Sequence, residues 1–177
     1  MTQQPLLAIT WAIDASSIME LDNAHIVLSG MEKPPPRFTE SERTAIWAGL
    51  ERLAGEGRLK LLDKIEDDLE RWYPDVLSKL RAFPNVRIRT TPQIRATYQQ
   101  IIAKHPKLMQ RLLHHDDADP YLVAAAKTRG YGVVTEEKDN ATRKSKSKDV
   151  PIPDLCALEG VQCRNLRNLG KDEGWIT

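Results

Sequence analysis

The run Leu6-Leu7-Ala8-Ile9-Thr10-Trp11-Ala12-Ile13 is short and apolar, does not alternate, and stops on Asp14. A strand with one solvated face alternates apolar and polar residues, so this run reads as a strand buried on both faces, as in a parallel sheet. Parallel neighbours cannot be joined by a tight hairpin and need crossover connections, usually helical. The chain therefore has to supply helices between its strands.

It does so. After Asp14-Ala15-Ser16-Ser17, which starts a turn or helix, Met31-Glu32-Lys33-Pro34-Pro35-Pro36 is incompatible with helix or central strand and reads as a loop. Thr39-Glu40-Ser41-Glu42 matches a capping box, and Ile46, Trp47, Leu50, Leu53 and Ala54 follow at helical spacing until Gly55 and Gly57. Arg58–Leu61 reads as a short strand. From Leu62 the positions Ile65, Leu69, Trp72, Tyr73, Val76 and Leu80 repeat at helical period and predict a second long helix. Asn85–Thr90 alternates like an edge strand, and Thr91-Pro92 supplies an N-cap and N1 proline for a helix through Ile102. Leu108–Leu113 predicts a short helix, Pro120–Arg129 a nearly all-apolar one closed by Gly130, Tyr131–Thr135 a buried strand, and Val161–Cys163 a further strand. This alternation predicts an α/β domain with helices on both faces of a parallel sheet, spanning residues 1–177 as one unit. Residues 138–149 are polar and basic without apolar anchors and predict a mobile loop.

At 177 residues the chain is long enough for one well-cored domain, so any site must be built within it. The 26 Lys+Arg nearly cancel the 25 Asp+Glu, which excludes a strong global field for nucleic acid and leaves only local basic clusters. Cys156 and Cys163 fit neither a zinc knuckle nor a redox pair by spacing and read as reduced, mostly buried side chains. The N-terminus lacks a basic stretch followed by a long apolar core. No window approaches the roughly 18 apolar residues of a membrane span, so a cytoplasmic location without membrane contact is expected.

Several carboxylates sit where apolar runs stop, and in open α/β sheets ligands bind outside the carboxyl ends of the strands. Asp14 follows the first strand and serves equally as a helix N-cap or as a site acid, with Ser16 as a supporting hydroxyl. Among Asp63, Glu66, Asp67, Asp68 and Glu70, helical phasing puts Glu66 within about 60° of the apolar stripe and Asp67 on the solvated side. Asp119 precedes Pro120 and has a local role as an N-cap that leaves it able to bind a cation. His114 and His115 read as surface or cap residues. Glu136 and Glu137 are consecutive and point to opposite sides of extended chain, with Asp139 on the side of Glu137. Clustered carboxylates with few histidines suit a hard divalent cation.

Asp14-Ala15-Ser16, a core-bordering Glu66, Ala118-Asp119-Pro120-Tyr121-Leu122-Val123-Ala124-Ala125-Ala126 and Thr135-Glu136-Glu137-Lys138-Asp139 resemble, in order and spacing, the motifs of the PIN-domain nucleases. Trp47-Ala48-Gly49-Leu50, Pro151–Cys156 and Gly160–Cys163 look like an uncharacterised PIN-like subfamily of small prokaryotic proteins. The resemblance implies a three-layer α/β/α domain with a central parallel sheet of about five strands. It implies Mg²⁺ or Mn²⁺ as cofactor and metal-dependent endoribonuclease activity, often as the VapC-like toxin of a toxin–antitoxin pair. By motif position Asp14, Glu66, Asp119 and Glu137 would be the catalytic metal ligands, supported by Ser16 and Thr135. The sequence departs here from the common aspartate, which leaves Glu136 and Asp139 as alternatives to Glu137. Arg143, Lys144, Lys146 and Lys148 are candidate RNA contacts. RNA, a cognate antitoxin and a second copy of the chain are the candidate partners. The alternative is a non-catalytic PIN-like module that binds RNA or protein.

Overall fold

The computed structural model describes residues 8–23, 35–106, 118–142 and 150–177. In chain order the elements are β1 (Trp11–Ile13), α1 (Ala15–Asp22), α2 (Glu40–Gly55), β2 (Leu59–Leu62), α3 (Asp63–Trp72), α4 (Pro74–Arg81), β3 (Arg87–Ile88) and α5 (Pro92–Lys104). They continue with α6 (Ala118–Arg129), β4 (Gly132–Val134), α7 (Ile152–Glu159), β5 (Cys163–Arg164) and α8 (Leu166–Asp172). The five strands form one sheet in the order β3-β2-β1-β4-β5. Every pairing is parallel, with Trp11 in register with Leu59 on one side and Gly132 on the other. The molecule is therefore an α/β fold with an all-parallel sheet between helices, as the alternation of runs predicts.

Order and direction follow from the residues. Trp11, Ala12 and Ile13 are all buried, as a strand flanked on both edges and both faces requires, and β1 lies in the centre of the sheet. Two-residue β3 alternates exposed Arg87 with half-buried Ile88 and occupies an edge, where fewer contacts are needed. Leu122 to Ala126 of α6 are fully buried, which accounts for a helix with almost no polar face. Thr39 and Glu42 make the reciprocal capping box at the start of α2. Gly49 on that helix has no space for a side chain, because a Cβ there would stand 2.1 Å from the Trp175 ring.

Two expectations need correction. The single long helix after Leu62 is two helices: Tyr73 leaves helical geometry (φ −144°, ψ 57°) and Pro74 opens α4, since proline lacks the N–H and forces its predecessor out of the α region. Trp72, expected on the apolar stripe, is 58% exposed at the end of α3. Helices α7 and α8 were not separated from loop by periodicity. The short helix expected at Leu108–Leu113 lies outside the described residues. Among the described residues no helix is long and apolar enough to cross a membrane.

Candidate functional site

Because all five strands run the same way, their carboxyl ends share one edge, and residues that follow them are brought together from distant parts of the chain. Asp14 follows β1, Asp63 follows β2, Thr135 and Glu136 follow β4, and Asn165 follows β5. The backbone ties neighbouring ends: Asp14 N–H donates to Val134 O (2.9 Å) and Thr135 N–H to Arg164 O (3.0 Å).

Asp14 is 4% exposed and is the N-cap of α1, its Oδ2 accepting from Ser16 N–H at 3.2 Å. The same oxygen accepts from the Ser16 hydroxyl and from Thr135 Oγ1 at 3.1 Å. Ser16 Oγ in turn accepts from Glu136 N–H at 3.2 Å, and Thr135 Oγ1 from Glu137 N–H at 3.1 Å. Both supporting hydroxyls named by the sequence thus join the β1 end to the β4 end. Burial, joined by the neighbouring Glu137 charge, pushes the Asp14 carboxyl up to about 6 against the lowering effect of the Ser16 and Thr135 hydrogen bonds. Glu137 is half-buried and held by Ile152 N–H of α7, which donates to Oε2 at 2.9 Å. Asp14 and Glu137 are therefore the acids that the fold brings into electrostatic contact.

The other candidates are placed differently. Glu66 is buried as phasing predicts and Asp67 is exposed, but the Glu66 carboxylate lies between Arg87 Nε (2.8 Å) and Arg81 Nε (3.3 Å). Its charge is already matched by two guanidinium groups. Asp119 is half-buried in the first turn of α6. Glu136 turns to α8, where it accepts from Leu166 N–H at 2.7 Å and pairs with Arg37 at 3.0 Å. Burial raises its pKa, while that N–H and Arg37 oppose the shift. Asp139 accepts from Thr142 N–H (2.7 Å) and its hydroxyl (2.5 Å), which hold its carboxyl below the usual range. Glu137 also accepts a helix-start N–H, and what sets it apart from Glu136 and Asp139 is its charge acting on Asp14. His114, His115 and the basic Arg143, Lys144, Lys146 and Lys148 lie outside the described residues. Among the described residues no three His, Cys, Asp or Glu side chains converge closely enough to hold a metal ion.

Sequence reasoning missed what surrounds Glu137. A cavity of about 640 Å³ opens beside it, lined by the cations Arg37, Lys138, Arg164 and Lys171 and by the acids Glu136, Glu137, Asp139 and Asp172, with Thr135 and Cys163 in its wall. The signal for Arg164 was its position at the end of β5; Arg37 and Lys171 had none, since they arrive from a loop and from α8. At the carboxyl ends of β2 and β3, Asp63 binds Thr90 through its N–H (2.9 Å) and hydroxyl (2.5 Å) beside a smaller cleft that also includes Glu66, Arg87 and Arg89.

The donors at the Asp14–Glu137 pair are all oxygens. One or two carboxylates, completed by water and substrate phosphate, is the usual protein contribution to a Mg²⁺ site, so the pair fits a hard cation. The four-carboxylate set does not assemble as a whole. Residues 37–177 match the model of a family described as a domain of unknown function (DUF4411). No curated protein matches the chain.

Proposed function

The chain belongs to the DUF4411 family of domains of unknown function, and we propose that it is a divalent-metal-dependent ribonuclease whose working centre is the Asp14–Glu137 pair. The observation that carries this is Asp14 itself. A carboxylate buried at the carboxyl end of the central strand, beside a second carboxylate, is costly unless a cation neutralises the pair.

Asp14 and Glu137 would hold Mg²⁺ or Mn²⁺; Asp119 is a further candidate through the PIN-domain resemblance alone, since it forms no three-acid cluster with them. When bound, such an ion lowers the pKa of its water and stabilises charge on a phosphoryl oxygen. Ser16 and Thr135 fix the orientation of Asp14, and Ile152 N–H fixes Glu137, so neither acid has to reorganise on binding. A phosphate backbone in the adjoining cavity would meet Arg37, Arg164 and Lys171, and would have to compete there with the pairing of Arg37 to Glu136 and of Arg164 to Asp172. The resemblance to PIN-domain nucleases supports the reaction class. It is also the ground for the role as the toxin of a toxin–antitoxin pair, with RNA and an antitoxin as partners.

A second reading, a PIN-like module that binds RNA or protein without cleaving it, is favoured by the pairing of Glu66 with Arg81 and Arg87. Single-stranded RNA labelled at both ends separates the two. Wild-type protein stripped of metal should cleave only after Mn²⁺ or Mg²⁺ is restored, and Asp14→Ala and Asp119→Ala should not cleave. Cleavage that survives both substitutions, or binding without metal-dependent cleavage in the wild type, overturns the nuclease assignment.

A further inference from the structure

The ion pairs that hold Glu66 away from the Asp14–Glu137 pair organise a different surface. The Glu66 side chain is 4% exposed, and it accepts from Arg87 through Nε alone, at 2.8 Å to Oε1 and 3.0 Å to Oε2. Arg81 Nε approaches the same carboxylate at 3.3 Å, and its Nη1 donates to Glu70 at 3.3 Å. A carboxylate that grips Arg87 at Nε fixes the plane of a rigid guanidinium and leaves its terminal fork on the outer side of a side chain that is 61% exposed. The two Nη groups of Arg87 and the whole guanidinium of exposed Arg89 have no partner among the described residues.

Arg87 and Arg89 line one cleft of about 300 Å³ with Asp63, Glu66 and Ile88. Two positive side chains face two negative ones, so the cleft exerts little pull over distance. What distinguishes it is the balance of unused bonds. Asp63 is filled by Lys64 N–H (2.9 Å), Thr90 N–H (2.9 Å) and the Thr90 hydroxyl, and Glu66 by its guanidinium partners, whereas both arginines keep N–H donors. A wall whose acceptors are used and whose donors are free takes a ligand rich in acceptor oxygens, and a guanidinium fork matches the geometry of phosphate. No aromatic or amide side chain lines the cleft, so it offers nothing to read a base. Its place is also defined: β3 is two strands from β1, about 10 Å at about 4.8 Å per strand, on the side of Asp14 away from the 640 Å³ cavity.

We infer that the Arg87–Arg89 cleft binds a backbone phosphate of an RNA strand, flanking the segment held at the Asp14–Glu137 centre, and that Glu66 is the positioning residue that orients Arg87. The identity of the strand as RNA rests on the ribonuclease reading; the phosphate contact rests on the cleft alone. Glu66, which the order of motifs assigns to a metal, thus serves the same substrate through an arginine. The contact is blind to sequence and belongs to the flank of the strand, so it adds to affinity and register without touching the bond to be cut.

The test is made on the wild-type full chain in EDTA, so that binding is read without cleavage. Arginines are labelled with phenylglyoxal and followed by peptide mass spectrometry, with and without a single-stranded RNA of about ten nucleotides. The RNA should slow labelling of Arg87 and Arg89 several-fold and leave Arg129, at the far end of α6, unchanged. In fluorescence anisotropy with the same RNA, Arg89→Ala should bind several-fold more weakly, with a slope of log K against log salt shallower by about 0.7. Arg87→Lys, which keeps the charge and loses the fork, should also bind more weakly. Labelling that ignores the RNA overturns the proposal, as does Arg89→Ala with wild-type affinity and salt slope. Equal protection by inorganic phosphate at the same phosphate concentration marks a site for free anions and overturns the nucleic-acid assignment. The labelling result decides the question even if Arg87→Lys fails to fold. Protection of Arg89 in a protein that never cleaves with metal would remove the ribonuclease and leave this cleft standing.

Discussion

Asp14 carries two opposed demands. Its hydroxyl partners stabilise the ionised carboxylate, whereas burial and Glu137 favour the proton, and the latter win because the folded value lies near 6 against 3.8 for the free group. A folded-state pKa above the unfolded one means that the folded protein binds the proton more tightly. The associated stabilisation is present below about pH 4 and is lost as pH rises toward about 6. The rise from 3.8 to about 6 corresponds to roughly 3 kcal/mol at neutral pH. Urea unfolding of metal-free wild type and Asp14→Asn across pH 4–8 should show the variant gaining relative stability through that window, by about 1–3 kcal/mol at pH 7. An unchanged difference between the two across that range would mean that Asp14 is not strained. Glu66→Gln tests a different environment: weakening two charge-assisted contacts to Arg81 and Arg87 should lower stability by about 1–3 kcal/mol in the same assay. Periodicity placed Glu66 at its correct depth. It could not supply its partners, which come from α4 and β3 and follow no local rule.

Among the elements, α2 is the most legible, because its start is encoded by four consecutive residues. Thr39→Ala should cost about 1 kcal/mol by thermal or urea unfolding, the usual worth of such a cap. The far side of that helix was not legible. Nothing near Gly49 in the sequence shows that Trp175 covers it, with Arg52 lying 5.9 Å over the same ring. Gly49→Ala must displace the indole, so a loss of about 1–3 kcal/mol and a red shift of Trp175 fluorescence are expected, the other tryptophans being replaced by phenylalanine for the measurement. The break between α3 and α4 has a different origin. Apolar spacing continues through Tyr73 as though nothing happened, and only the backbone chemistry of Pro74 interrupts it.

At the scale of the molecule, buried strands and crossovers were readable from short apolar runs, and with them the shared edge on which Asp14 and Glu137 meet. The set of four acids was a pattern of order, and order does not decide which carboxylate already has a cation beside it. If the pair takes up Mn²⁺, saturating metal at about 100 times Kd should stabilise the wild type by about 2.7 kcal/mol, with little effect on Asp14→Asn. Equal thermal shifts in both proteins would place the ion elsewhere.

The strand order has one more consequence, and it concerns time. Asp14 and the Thr135 that completes its environment are 121 positions apart. At 5–20 residues per second, synthesis leaves the first acid waiting on the order of ten seconds for its partner strand. Throughout that interval the nascent chain has β1 without β4. On the proposed ribonuclease reading, the centre would be silent while this stretch of the message is still being translated, because the pocket begins to exist only after β4 leaves the ribosome.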